Sequence, residues 1–429
     1  MISERQIDLI IEQLINRIQE ANTYFLMEIG SSVKEIRSLT PTKAQQLVQI
    51  LKYGGNYEDI IKELSKYTNL NIKDIDEIFS SYAKKDQMFY EKFYRYRNIP
   101  FVEYEQNEVL KRQTEALANI VKNEMYNFTR ANVLGYTIRD INGRVQFTGL
   151  RDTYNRVLDE ALVNVGTGKE TFDSAMSRIM KDIGGSGLKT IEYASGRSIR
   201  LDSMVRTHLK QNLRLLHNEL QETYGKEFNA NMVEVSHHSN SAPDHIDTVD
   251  GKQFARIDVI REQIKNGIEK EIKLEDIQGN RVKVKGKWYD DFDTINNNLA
   301  RPVSTLNCYH YIFSGILGVT EPEYTKKELQ EDKEKNLDGC EIDGKHYSLY
   351  EASQLQRQLE RRIREQKDIQ ILGKSSNNLE LISDSQSKIT ILTRKYKEVC
   401  DISSLPYKAK RLSVVGYKRV AKNKLKWYT

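Results

Sequence analysis

The sequence predicts a mainly α-helical protein with a smaller α+β domain, in which an elongated helical N-terminal region precedes a mixed C-terminal domain with hairpins. Composition supports this, since only 6 of the 429 residues are proline and 30% are charged, which favours helices. Apolar residues recur at helical spacing near the N-terminus, and turn dipeptides between alternating apolar and polar residues follow further along the chain.

The first segment, residues 1–135, is predicted to consist of successive helices. One helical face near the N-terminus contains Ile7, Ile10, Ile11, Leu14, Ile15 and Ile18. A second helix opens at Pro41 with Thr40 as its N-cap, and residues 104–135 are interpreted as one long helix. An aromatic group indicates either a core seam between helices or a docking face for a partner; it consists of Phe89, Tyr90, Phe93, Tyr94 and Tyr96.

Three further segments follow. Residues 136–228 are interpreted as a helical middle region, residues 229–348 as a small α+β domain, and residues 349–429 as an exposed helix with a basic C-terminal tail. The last long helix has only a narrow apolar stripe, so we expect it to be exposed. Hairpin turns are predicted at Asn142-Gly143, Gly279-Asn280 and Asp343-Gly344.

Several classes of function are disfavoured by the sequence. The stretch "NVGTGKETF" resembles a phosphate loop, but Val163 stands where a glycine is required and Glu170 follows Lys169. The 3 cysteines are widely spaced, which argues against a disulfide scaffold. Signal-peptide layout and membrane-length apolar runs are missing, so we expect synthesis in a cytoplasm and no membrane partner.

A histidine-rich stretch is the main candidate site. His237, His238 and His245 are three of the 7 histidines, and Cys308 and His310 form a second cluster. Two such pairs on separate segments can supply four N and S donors for a structural zinc ion, with His237 or His238 as one of them. Two alternatives stay open: a hydrogen-bonded loop without metal, and a catalytic pair of His245 with Asp247 or Asp250.

The C-terminal tail is strongly basic. No acidic residue follows Asp401, and aromatic residues are interspersed among the cations. This pattern is typical of contact with nucleic acid, although a solvated terminus or a strap on an acidic protein shows it as well. The nucleic-acid candidates are Lys418, Arg419, Lys422, Lys424 and Lys426.

The order of motifs resembles the tailed-phage minor capsid protein 2 family, which is distantly similar to the Mu F-like head morphogenesis proteins. The motifs are "YASGRSIRLDSMVRTHLKQNL", "VEVSHHSNSAPDH", "DGKQF", "LNCYHYIFSGILG", "HYSLYEASQLQRQLERRIREQK" and "LSVVGYKR". The resemblance covers residues 5–420 and is strongest over residues 193–367. Two arginines typical of the family's site are replaced here by Ala242 and Tyr309.

The resemblance implies a minor head protein of the virion, in the capsid interior or near the portal vertex, that acts in head assembly and carries no enzymatic activity. Implied partners are the portal protein and major capsid or scaffold proteins, with packaged double-stranded DNA as a further partner of the basic tail. Two other functions compete with this one. The first is a metal-dependent hydrolase or nuclease that uses His245, Cys308 and His310, and the second is a transient head-assembly factor.

Overall fold

The computed structural model describes residues 4–54, 56–130, 132–140, 142–167, 172–192, 194–305, 308 and 310–420. The α-helices are α1 (Glu4–Arg37), α2 (Pro41–Tyr53), α3 (Asn56–Arg97), α4 (Glu108–Phe128), α5 (Leu150–Thr167), α6 (Phe172–Ser186), α7 (Leu201–Glu227), α8 (Pro243–Ile246), α9 (Ile257–Lys265), α10 (Phe292–Asn297), α11 (Lys326–Asp338), α12 (Leu349–Ser375), α13 (Leu379–Ser403) and α14 (Ala409–Leu412). Single 3₁₀ turns occupy Tyr104–Gln106 and Leu274–Asp276. None of the described helices combines the length and apolar character needed to cross a bilayer.

The strands form small antiparallel sheets. They are β1 (Leu134–Arg139), β2 (Val145–Gly149), β3 (Lys189–Glu192), β4 (Arg197–Arg200), β5 (Met232–Val235), β6 (Gln253–Ala255), β7 (Ile277–Gln278), β8 (Arg281–Val284), β9 (Lys287–Asp290), β10 (Ile312–Gly315), β11 (Cys340–Ile342) and β12 (Lys345–Tyr347). The strand orders are β2-β1-β3-β4, β10-β5-β6, β7-β8-β9 and β11-β12. The predicted fold class, mainly α with a smaller α+β part, is confirmed, and each of the three predicted turns joins two paired strands.

The chain divides into two compact units, and neither is one continuous segment. Unit 1 is built mainly from Ile75–Val121 and Thr207–Ser353. Unit 2 is built from Asp8–Asp74, Lys122–Arg206 and the described residues from Gln354 onward.

The sheet β10-β5-β6 organises the core of unit 1. Its central strand β5 is buried along its whole length, and successive side chains of a strand point to opposite faces of the sheet. Met232 accordingly packs into a cluster with Ile260 and Val282, whereas Val233 and Val235 pack into another cluster with Phe254 and Phe292. Both faces of this small sheet are therefore covered, which fixes the register of β5.

The aromatic group on α3 belongs mainly to the core of unit 1. Tyr90, Phe93 and Tyr94 are buried, and the Phe93 ring stacks on Phe228 of α7 with ring centroids 5.2 Å apart. Tyr96 is the exception, because it is 52% exposed. The buried members of the group therefore form a core seam between helices and not a docking face.

Helix α4 is shorter than the helix predicted for residues 104–135. It begins at Glu108 because the side-chain oxygen of Asn107 accepts a hydrogen bond from the Leu110 backbone at 3.1 Å, as an N-cap does. It ends at Phe128, and the chain enters strand β1 at Leu134. The helix therefore occupies only the central part of the predicted range.

The prediction of an exposed helix after residue 349 is wrong for one face of α12. That face buries polar and charged side chains, among them Gln356, Glu360, Arg364, Asp368 and Gln370. The apolar stripe is narrow because part of the buried face is polar and forms hydrogen bonds within unit 2. Helix α13 was not predicted; the Asn378 side chain caps it by accepting from the Leu381 backbone at 3.1 Å.

Buried charges hold unit 2 together around Asp368 and Asp202. Asp368 accepts from Asn22 at 3.2 Å and from Arg200 at 3.1 Å. Arg200 also donates to Asp202 at 3.3 Å, and Arg364 lies 3.5 Å from the second oxygen of Asp202. Burial raises the pKa of the Asp202 carboxyl, but the two arginines outweigh burial and hold it well below its usual range.

Substitution of Asp202 by alanine is predicted to lower the free energy of unfolding by about 3–5 kcal/mol. The substitution removes the carboxylate beside the buried Arg364 and one of the two carboxylates that pair with Arg200. Urea denaturation measures the change. The matched control is Glu398→Ala, which removes a partly exposed carboxylate that pairs with Lys395 at 3.2 Å. We expect that control to change the free energy by no more than about 0.5 kcal/mol; equal effects of the two substitutions would contradict the prediction.

Candidate metal centre

The topology of the sheet β10-β5-β6 brings the histidine and cysteine clusters to one edge. Strand β5 runs antiparallel to both β6 and β10. The end of β5 therefore lies beside the beginnings of β6 and β10. His237 and His238 follow β5, Asp250 precedes β6, and Cys308 and His310 precede β10.

Two local features bring the loop between β5 and β6 back to this edge. Pro243 opens the single-turn helix α8, which contains His245; proline suits a first helical position because it has no N–H to leave unpaired. Gly251 then adopts a φ of +68°, and a Cβ atom at this position would lie 2.3 Å from a Leu329 methyl group. Glycine is favoured there by the positive φ, and any larger residue would also have to displace the Leu329 side chain.

His245, Cys308 and His310 form a buried group of three potential metal ligands. The two Nδ1 atoms of the histidines lie 3.2 Å apart. The Cys308 Sγ atom lies 3.8 Å from Nδ1 of His245 and 3.6 Å from Nδ1 of His310. Three of the five predicted metal-site residues are thus brought together.

The outer nitrogen of each histidine in this group faces a hydrogen-bond acceptor. Nε2 of His245 lies 2.7 Å from the backbone oxygen of Arg301. Nε2 of His310 lies 2.7 Å from Oδ1 of Asp250. Each Nε2 therefore carries a proton, and these bonds fix the orientation of both rings.

Asp250 is the hydrogen-bond centre of the loop. Its Oδ1 atom accepts from the His238 backbone at 2.9 Å, from the Ser241 hydroxyl at 2.7 Å and from His310. Its Oδ2 atom accepts from Nδ1 of His237 at 2.6 Å. Burial raises the pKa of the Asp250 carboxyl, but the bonds from His237, His310 and Ser241 outweigh burial and hold it well below its usual range.

The acid–base properties of the cluster favour an ionised sulfur. Burial raises the pKa of the Cys308 thiol, but its contacts with His245 and His310 prevail and lower that pKa to about 5. Burial lowers the pKa of His310, but the bond to Asp250 and the contact with Cys308 prevail and raise it to about 9. A thiolate beside imidazole nitrogens is a donor set suited to a soft or borderline cation.

His237 and His238 lie outside the group of three ligands. Both ring nitrogens of His237 face carboxylates, since Nε2 lies 3.0 Å from Asp332. Burial lowers the pKa of His237, but the bonds to Asp250 and Asp332 prevail and raise it. The ring of His238 lies 5.0 Å from that of His310, and its Nε2 atom is 3.3 Å from the Ser236 hydroxyl.

The catalytic pair considered from the sequence is not formed in this arrangement. Asp250 contacts His237 and His310 rather than His245, and Asp247 pairs with Lys333 at 2.5 Å.

Sequence reasoning missed Arg301, whose guanidinium binds Asp244 through two bonds of 2.8 and 2.6 Å. No spacing in the sequence indicated it, because 57 residues separate the two partners.

The predicted nucleic-acid residues are only partly within the described chain. Lys418 and Arg419 are exposed. Lys422, Lys424 and Lys426 lie outside the described residues.

Comparison with protein families defines the class of protein. One family model matches residues 2–401, and it describes bacteriophage capsid proteins. The chain belongs to the phage minor capsid protein 2 family, so the resemblance seen in its motifs is confirmed, and it is a structural protein of a phage head. No curated protein and no solved structure matches the chain.

Substitution of Asp250 by asparagine is predicted to lower the free energy of unfolding by about 3–5 kcal/mol, because buried histidines lose their carboxylate partner. Urea denaturation in the presence of a chelator measures this effect independently of bound metal. Asp247→Asn is the control, since the side chain of Asp247 is 57% exposed. If both variants unfold at the wild-type midpoint, Asp250 is not the centre of the loop.

Proposed function

We propose that this chain is a permanent component of the head interior at the portal vertex, where it contacts the portal protein and capsid or scaffold proteins and lays its basic C-terminal segment on packaged DNA. Membership of the minor capsid protein 2 family supports a head role. The observation that supports the DNA contact is the acid-free basic segment after Asp401.

The described part of the basic segment is held by the buried side chains of Leu412 and Val414 and by hydrogen bonds to its backbone. The backbone oxygen of Leu412 accepts from Lys367 at 2.6 Å, and that of Val415 accepts from the Thr23 hydroxyl at 2.7 Å. The Val420 N–H donates to the Gln386 side chain at 3.1 Å. These bonds use no side chain of the segment itself.

This attachment leaves cationic side chains available for phosphates. Lys410, Lys418 and Arg419 are exposed. Each lysine or arginine that neutralises a phosphate releases a counterion, so such contacts weaken steeply with salt. Inside a filled head the concentration of phosphate is high, and even weak contacts are then occupied.

Quantitative mass spectrometry of virions and proheads tests the location. We expect this chain in both particles, in a fixed ratio to the portal protein, and cross-links between residues 1–135 and the portal. Truncation of that region is an unsuitable test, because the region contributes buried residues to both units. Presence in proheads alone would identify a transient assembly factor, and absence from both particles would overturn the proposal.

Removal of the charges of Lys418, Arg419, Lys422, Lys424 and Lys426 by glutamine substitution is predicted to weaken DNA binding and to reduce the slope of log K against log salt. The slope should fall by about 1 for each phosphate that the variant no longer neutralises. Binding is measured on duplex DNA of unrelated sequences across a range of salt concentrations.

The control for this experiment carries Lys326→Gln and Lys327→Gln, which remove exposed charges at the start of α11. We expect the control to retain the wild-type slope. An unchanged slope in the five-residue variant would exclude DNA contact by the segment, whatever the location of the protein in the head.

A further inference from the structure

We propose that His245, Cys308 and His310 bind one Zn²⁺ ion through the two histidine Nδ1 atoms and the cysteine Sγ atom. The inference goes beyond the proposed role in the head and does not depend on it. It rests on the spacing of the three atoms and on the hydrogen bonds that orient the two rings.

The spacing of the three atoms fits a tetrahedral zinc ion. Zinc bonds of about 2.0–2.1 Å to nitrogen and about 2.3 Å to sulfur place tetrahedral ligands about 3.3 Å apart for two nitrogens and about 3.6 Å apart for nitrogen and sulfur. The corresponding distances here are 3.2 Å between the nitrogens, and 3.6 and 3.8 Å between nitrogen and sulfur. One ion can therefore reach all three atoms with little movement.

The hydrogen bonds of the Nε2 atoms of His245 and His310 explain why their Nδ1 atoms lie toward the sulfur of Cys308. Because Nε2 of His245 donates to the Arg301 carbonyl and Nε2 of His310 donates to Asp250, Nδ1 is the nitrogen of each ring that lies toward the sulfur and that can bind a cation in place of a proton. Carboxylates and backbone carbonyls hold metal-binding histidines in this manner. The three potential donor atoms are therefore held close together, as a single bound cation requires.

A cysteine–histidine–aspartate nucleophile is the alternative chemistry for the same atoms. Cys308, His310 and Asp250 follow one another at hydrogen-bonding distances, as such a triad requires. The triad leaves His245 without a role, although its Nδ1 atom faces the same point. Cys308 is also only 4% exposed, which disfavours attack on a substrate and favours zinc.

The ion would connect two segments of unit 1, the loop between β5 and β6 and the residues before β10. His245 lies on α8, Cys308 and His310 lie on the segment before β10, and Asp250 holds His310 from the turn before β6. Among the described residues, the group contains three donors. We assign the fourth tetrahedral position to a solvent molecule, because both ring nitrogens of His237 face carboxylates.

Metal analysis of the purified full-length protein tests the assignment. The protein is incubated with zinc chloride, freed of loosely bound metal on a desalting column, and measured by mass spectrometry. We expect about one zinc per chain, and a loss of at least about tenfold in bound zinc for Cys308→Ser and for His310→Ala. The variants Cys340→Ser and His346→Ala, which lie outside the group, should retain the wild-type content.

Two further measurements extend the test, and the first of them needs no variant. X-ray absorption at the zinc edge of the wild-type protein should show one sulfur neighbour and otherwise nitrogen or oxygen neighbours. Asp250→Asn should raise the dissociation constant for zinc by about 10–100-fold, since it removes the group that orients His310.

Five outcomes would overturn the proposal. A folded wild-type protein without zinc would exclude the site. Equal zinc content in wild type, Cys308→Ser and His310→Ala would indicate an adventitious ion only. A spectrum without a sulfur neighbour would exclude Cys308. Loss of zinc in His238→Ala to the same extent as in His310→Ala would exclude the three-donor assignment, and rapid alkylation of Cys308 that zinc does not slow would favour the nucleophile.

Discussion

The structure of the histidine loop depends on one buried carboxylate. Asp250 accepts hydrogen bonds from two imidazole rings, a hydroxyl and a backbone N–H, and these donors come from the loop that follows β5 and from the segment before β10. A buried charge is tolerated only where such bonds replace its water. The position of His310, and through it the whole group of three ligands, follows from this requirement.

Local patterns in the sequence predicted a large part of the fold. The three turn dipeptides and the start of α2 at Pro41 were evident because each depends on a few neighbouring residues. The clustering of His245, Cys308 and His310 was also predicted, since pairs of histidine and cysteine on two segments can supply the donors for one ion. The position of His237 outside this group was not predicted, because it depends on Asp332, which is distant in sequence.

The helices near the C-terminus show where reasoning from hydrophobic periodicity fails. Periodicity detects a buried face only if that face is apolar, and α12 buries charged residues that find their partners elsewhere in unit 2. Arg364 and Asp368 depend on Asp202 and Arg200, which lie far away in the sequence, as in the bond between Arg200 and Asp368. Helix α13 carried a local signal in Asn378 and the residues after it, and its omission was an error of interpretation.

The hydrogen bonds to the backbone of the C-terminal segment do not depend on the charges of its side chains. Bonds from Thr23 and Lys367 to main-chain oxygens are indifferent to the identity of the side chains that the segment carries. Cations can be gained or lost at Lys410, Lys418 and Arg419 without disturbing those bonds. The charge of the segment can therefore vary while these hydrogen bonds keep it in the same place on unit 2.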